Sequence, residues 1–157
     1  MLKKKNLGTS KLLRKIDGAS LVGLDSVVFL YFLEKEMPWA PLCKLVLERI
    51  EQGQVRGVTS VVTILETLSL PELEVDEERQ KFFTQFYHRL PNLEVVDMSM
   101  KIVLEAARLR RQFLLKSPDA IQAATALVKS TDLFITNDRD FVKIGKQIGV
   151  IILDDYV

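Results

Sequence analysis

The chain has 157 residues, 48% of them hydrophobic, and a formal net charge of +1. That length suits one domain with a sizeable core. The single cysteine, Cys43, excludes an intramolecular disulfide and fits a reducing compartment. No uninterrupted apolar stretch approaches the roughly 20 residues that span a bilayer.

The charge is unevenly spread. Residues 1–20 carry six bases (Lys3, Lys4, Lys5, Lys11, Arg14, Lys15) and one acid, Asp17. The remainder is mildly acidic. Residues 1–19 therefore read as a basic N-terminal arm, solvated or forming a short helix from Thr9 to Lys15, and residues 20–157 as the folded domain. The arm could touch phosphates nonspecifically. A basic start followed by Leu21–Leu33 has the outline of a signal peptide. Asp25 interrupts the apolar run, however, and no small-residue cleavage site follows. A soluble cytoplasmic protein is expected.

In chain order, Leu21–Leu24 is a short apolar strand running into Asp25. Val27–Glu36 reads as a helix, broken by two prolines in residues 37–41. Trp39 lies between them, a candidate partner contact or a lid on the core. A second helix spans about Leu42 to Glu51 and places Cys43 in an apolar pattern; Gly53 stops it. Val55–Thr59 is a strand. Thr59 or Ser60 can cap the next helix, which carries Glu66 among apolar neighbours. Asp76–Leu90 is an amphipathic helix bearing the lone His88, read as a surface residue. Leu93–Val96 is the third strand and Ser99–Leu115 a long helix.

Ser117 is a candidate N-cap, with Pro118 at the first helical position and Asp119 in the first turn. Leu133–Thr136 is a buried strand ending in Asn137, Asp138 and Asp140. A helix over about Asp140–Ile148 and a strand at Val150–Leu153 complete the chain. Five strands alternating with helices predict a three-layer α/β/α domain with a central, mostly parallel five-stranded sheet.

Four acids stand where solvated acids usually do not: Asp25, Glu66, Asp119 and Asp138. Each alone has an innocent role as a cap, a dipole partner or a wet-face residue. In a doubly wound sheet, the strands before Asp25 and Asp138 can be neighbours at the switch point, facing one crevice. Carboxylates about 4 Å apart repel by roughly 4 kcal/mol at an effective dielectric near 20. A cation must offset this, or protons must bind. With no histidine or cysteine pair nearby, the all-oxygen set favours Mg²⁺ or Mn²⁺ over zinc. Such an ion can activate water and polarise a phosphodiester.

The segments LDSVVFLYFLE (24–34), TSVVTILE ending at Glu66, SPDAIQAATA (117–126) and FITNDRDF (134–141) resemble the four motifs of PIN-domain nucleases. VapC-type toxins are common small examples. The likeness spans about residues 20–155 and implies a PIN-like fold. It implies Asp25 as the central metal ligand, Glu66 as a ligand directly or through water, and Asp119 and Asp138 completing the quartet around one or two Mg²⁺ or Mn²⁺ ions. Thr136 would hold a water at the ion or a carboxylate, and Asp140 would be a supporting acid or a helix cap.

The resemblance further implies a metal-dependent endoribonuclease acting on single-stranded RNA or tRNA. It also implies a homodimer and, for a toxin, an antitoxin protein as partner. Arg139, Lys143 and Lys146 could neutralise substrate phosphates or simply form the exposed face of the last helix; Arg108, Arg110 and Arg111 read as solvated. Val27 stands where family members often carry Asn or Ser, so one polar contact is expected to be missing.

Two rivals remain. A non-catalytic PIN-like module would bind RNA or protein without cutting. A receiver or haloacid-type phosphatase would need an acidic pair or Asp-x-Asp at the first strand, which Asp25-Ser26-Val27 does not supply.

Overall fold

The computed structural model describes the backbone of residues 2–157 and the side chains from residue 7 onward. Five short apolar runs form strands: β1 (Leu21–Leu24), β2 (Arg56–Ser60), β3 (Leu93–Val96), β4 (Leu133–Thr136) and β5 (Gly149–Ile152). Their order is β3-β2-β1-β4-β5, and every pairing is parallel. The chain leaves β1 toward β2 and β3, then crosses back past β1 to β4. The switch point therefore falls between β1 and β4, where crevices open at the strand ends.

Parallel strands require crossovers, and helices supply most of them. They are α1 (Leu2–Asp17), α2 (Ser26–Leu33), α3 (Ala40–Glu51), α4 (Val61–Leu68), α5 (Glu77–Arg89), α6 (Met100–Phe113) and α7 (Ser117–Val128). Tighter 3₁₀ turns occupy Pro71–Val75, Arg139–Ile144 and Leu153–Tyr156. Strand side chains alternate between faces. Val22, Leu24, Ile135 and Ile151 join one core with residues of α1, α2, α3 and α5. Phe134 joins the other with α6, α7 and Phe141 and Ile144. The result is the expected three-layer α/β/α fold.

The second core brings α7 close to the sheet. Ala120, Ala123, Ala124 and Ala126 are buried along it, and such short side chains allow close approach. At the contact point Gly23 has no room for a side chain. A Cβ there would lie 3.0 Å from both Ala126 Cβ and Phe134 Cδ2.

Several local expectations differ from what is found. The N-terminal segment is a longer helix than Thr9–Lys15, and Leu12 and Ile16 are fully buried. It packs against the C-terminal turn, with Lys15 Nζ 5.6 Å from the Tyr156 ring centre. The cap position of α7 belongs to Lys116, which makes no side-chain cap bond, so Ser117 opens the helix and Pro118 follows it. The expected helix at 140–148 is the 3₁₀ turn Arg139–Ile144. Gly53 does end its helix, at a φ of 72° that favours glycine. Ser60 does cap α4, accepting from Val62 N at 3.2 Å. Cys43 is a core residue whose thiol is pushed up to about 12 by burial, and so stays protonated and inert.

Candidate active site

Strand direction alone collects the four acids. Asp25 follows β1 and Asp138 follows β4, so both stand at the carboxyl edge of adjacent strands. The helix α4 leaves β2 from the same edge, carrying Glu66 in its second turn. The helix α7 leads into β4 and runs against it, so its first turn, with Asp119, returns to that edge.

Asp25 is the buried centre, 7% exposed. Its backbone N–H donates to the Ile135 carbonyl at 3.0 Å, locking the turn to β4. Its Oδ1 accepts from Ser26 N at 2.7 Å, and its Oδ2 from Thr136 Oγ1 at 2.6 Å. Burial nevertheless raises its pKa to about 7, and the charges of Glu66 and Asp119 push the same way. Asp119 is raised too, first by burial, then by Asp138 and Glu66, with Lys116 opposing. Asp25, Glu66 and Asp119 thus lie within electrostatic reach of one another, and Asp138 within reach of Asp119.

Supporting contacts surround them. Thr136 Oγ1 also accepts from Asp138 N at 3.0 Å, so one hydroxyl bridges two of the acids' segments. Asp138 Oδ1 caps the following turn through Asp140 N at 2.8 Å. Asp140 pairs with Lys143 at 3.1 Å, and Arg139 pairs with Asp155 at 2.8 Å. Lys146 and His88 are exposed. Arg108 is held by Glu105 and Gln112 rather than free in solvent. Val27 packs against the core. Within the first motif the polar neighbour of Asp25 is instead Ser26, whose hydroxyl lies 3.3 Å from Oδ1.

Two groups escaped the sequence reading. Gln122, 2% exposed, donates through Nε2 to Glu66 Oε2 at 3.1 Å. Its signal was present: it stands three residues after Asp119, on the same helical face, amid alanines. Asn137 and Asp154 form a reciprocal pair, Asp154 N to Asn137 Oδ1 at 2.8 Å and Asn137 Nδ2 to Asp154 Oδ1 at 3.2 Å. Trp39 donates to the same carboxylate at 2.7 Å while stacking on Tyr31 at 4.6 Å. Trp39 therefore braces the loop beside Asp138.

Among the described residues no group of three or more acidic, histidine or cysteine side chains is placed so that together they could hold a metal ion. The fit to a metal rests on donor chemistry. All donors are oxygen, none of the four acids has an ion-pair partner among the described residues, and two are held up by burial and mutual repulsion. Such a set suits a hard divalent cation.

Fold and site define an α/β domain with acids gathered at the carboxyl edge of its sheet, beside the topological switch point. The PIN domain family model matches residues 22–147, and the chain belongs to that family. Solved structures agree on the fold. VapBC2 from Rickettsia felis, bound to a promoter DNA fragment, aligns with a TM-score of 0.66 at 17% identity, covering 84% of this chain and 98% of that one. A toxin–antitoxin complex from Klebsiella pneumoniae aligns at 0.60 and 21% identity, covering 85% and 97%. DNA-bound VapBC from Salmonella typhimurium aligns at 0.64 and 16%, covering 85% and 98%. A comparison with curated protein sequences finds no match. Among the described residues, no helix is long and apolar enough to cross a membrane.

Proposed function

We propose that this protein is a metal-dependent endoribonuclease that hydrolyses single-stranded RNA or tRNA, and the toxin of a toxin–antitoxin pair. The observation that carries the reading is geometric: Asp25 is buried at the end of β1 beside the β4 end that bears Asp138, Glu66 and Asp119 are close enough to act on its charge, and none of the four acids has an ion-pair partner among the described residues. A crevice that concentrates more negative charge than Lys116 offsets repels a phosphodiester unless a further cation is present.

Asp25, Glu66, Asp119 and Asp138 would hold one or two Mg²⁺ or Mn²⁺ ions. A divalent ion bound there would polarise the phosphodiester and lower the pKa of an attacking water. Thr136 orients Asp25 and the Asp138 backbone together. Asp140 braces the Asp138 turn and holds Lys143. Arg139 and Lys143 stand at the rim, where each can exchange its carboxylate partner for a substrate phosphate. An antitoxin partner is supported by the structural neighbours that are toxin–antitoxin complexes. A homodimer and a cytoplasmic location complete the reading.

RNA cleavage with Mg²⁺ or Mn²⁺ tests it. Asp119→Asn should cut at least about 100-fold more slowly while its melting temperature stays near the parent's. Equal cleavage by the variant would show the site to be misassigned. RNA binding by the parent without cleavage in either metal would mark a non-catalytic binding module instead.

A further inference from the structure

Buried hydroxyls and one amide form a chain from the crevice into the sheet. Thr59, Thr63 and Gln122 are each no more than 2% exposed. Thr59 Oγ1 lies 2.8 Å from the Leu24 carbonyl and 2.7 Å from Thr63 Oγ1. Thr63 Oγ1 in turn lies 2.8 Å from Gln122 Nε2 and 3.2 Å from Gln122 Oε1.

Proton counting orients this chain. A carbonyl only accepts, so the single proton of Thr59 goes to Leu24. The short contact between hydroxyls then requires the proton of Thr63. Thr63 has none left for Gln122, so it accepts from Nε2, and the longer contact to Oε1 carries no proton. Turning the amide over would set Oε1 against both an oxygen with no proton to give and the Glu66 carboxylate. Only one orientation survives, and it aims the second N–H of Gln122 at Glu66 Oε2, 3.1 Å away.

We propose that Gln122 is a positioning residue that fixes the Glu66 carboxylate relative to Asp25 through a one-way hydrogen-bond chain ending on Leu24. The chain begins on α7, three residues after Asp119, passes through α4 and β2, and ends on the residue before Asp25. It therefore ties together the segments bearing three of the four acids. A buried amide has few rotamers, so the anchored donor holds Glu66 in place against the repulsion of its neighbours. Groups behind a metal's ligands orient them in the same manner. This inference rests on the acidic crevice being a metal site.

Calorimetric Mn²⁺ titration of the full chain tests both claims separately. Gln122→Met keeps the side-chain volume and removes the donor. It should weaken Mn²⁺ binding about tenfold, and by less than about twofold when Glu66 is already Ala, because Gln122 then has nothing to hold. Thr63→Val, which breaks the anchor and leaves the amide in place, should weaken binding about threefold; it stands in should Gln122→Met fail to fold. Unchanged affinity in folded Gln122→Met or Thr63→Val overturns the positioning role. So does an equal loss from Gln122→Met with and without Glu66. Absence of Mn²⁺ binding by the parent overturns the metal-site reading itself, and this inference with it.

Discussion

Two aspartates bracket β1, and they live in opposite states. Asp132 sits beside its start, exposed, accepting from Ser20 N at 2.7 Å and Leu21 N at 3.0 Å. Those two N–H groups hold its carboxyl below the usual range. Asp25 closes the other end and also accepts a backbone N–H and a hydroxyl, yet burial drives it up to about 7. Hydrogen bonding is common to both, so it does not explain the contrast. Solvent and like charge do: Asp132 has water around it, and Asp25 has Glu66 and Asp119. An acid whose charge the fold stabilises is a structural clasp. An acid whose charge the fold penalises takes up a proton or a cation from outside, which marks it as a candidate functional group.

The largest effect should come from Asp25 in the metal-free protein. Its folded pKa exceeds the ordinary 3.8, so the folded state keeps a proton that the unfolded chain loses. The resulting stabilisation is complete below about pH 4 and disappears as pH rises through about 7. At 1.36 kcal/mol per pH unit this amounts to roughly 4 kcal/mol. Denaturant melts in chelator should therefore show stability falling between pH 4 and 7, and saturating Mn²⁺ should flatten the fall. Asp25→Asn should remove most of the slope, leaving the smaller part that the raised Asp119 contributes, and abolish Mn²⁺-dependent cleavage. A variant that keeps the parent's slope would place the titrating group elsewhere.

Asp132 should behave in the opposite sense. Asp132→Ala removes two bonds to an exposed carboxylate, for a loss of about 1 kcal/mol after allowing for solvent. Because its folded pKa is depressed, that contribution is present above the unfolded value and is lost as pH falls through the folded one. Melts at pH 7 should separate parent from variant, and the separation should shrink as pH falls below the ordinary carboxylate range. Mn²⁺ affinity should stay unchanged. A change would mean the two ends of β1 communicate.

The same contrast explains which features the sequence alone reveals. Strand ends were legible because short β-branched runs stop at polar residues, as at Leu24-Asp25 and Thr136-Asn137-Asp138. Those ends place Asp25 and Asp138 once the sheet is parallel. The face of α4 was harder. Its eight residues, VVTILETL, mix threonine with aliphatic side chains. The structure buries Val62, Thr63 and Thr67 but leaves Leu65 66% exposed. Threonine is close enough to valine in shape to enter a core when its hydroxyl is bonded, and the partners come from distant segments such as Gln122 and Tyr87. The same applies to α1, whose Leu12 and Ile16 gain meaning only against the C-terminal turn. At Arg139–Ile144, the Asp138 side chain bonds Asp140 N and tightens the turn, which hydrophobic spacing does not reveal.

Asp154 offers the finest test, since it bonds Asn137, the residue before Asp138, yet resembles Asp132 in kind. It is exposed and takes hydrogen bonds from Trp39 and Asn137. Water can replace each of them, so Asp154→Ala should cost only about 0.5 kcal/mol. The protein has a single tryptophan, so its emission reports on this contact directly. Loss of the acceptor should shift Trp39 emission to the red as the indole N–H meets water. Mn²⁺ affinity should fall by less than about twofold, since Thr136 and Asp140 still hold Asp138. A tenfold fall would move Asp154 from the clasps to the crevice, and the division between the two kinds of acid would have to be drawn through the Asn137 turn instead of along β1.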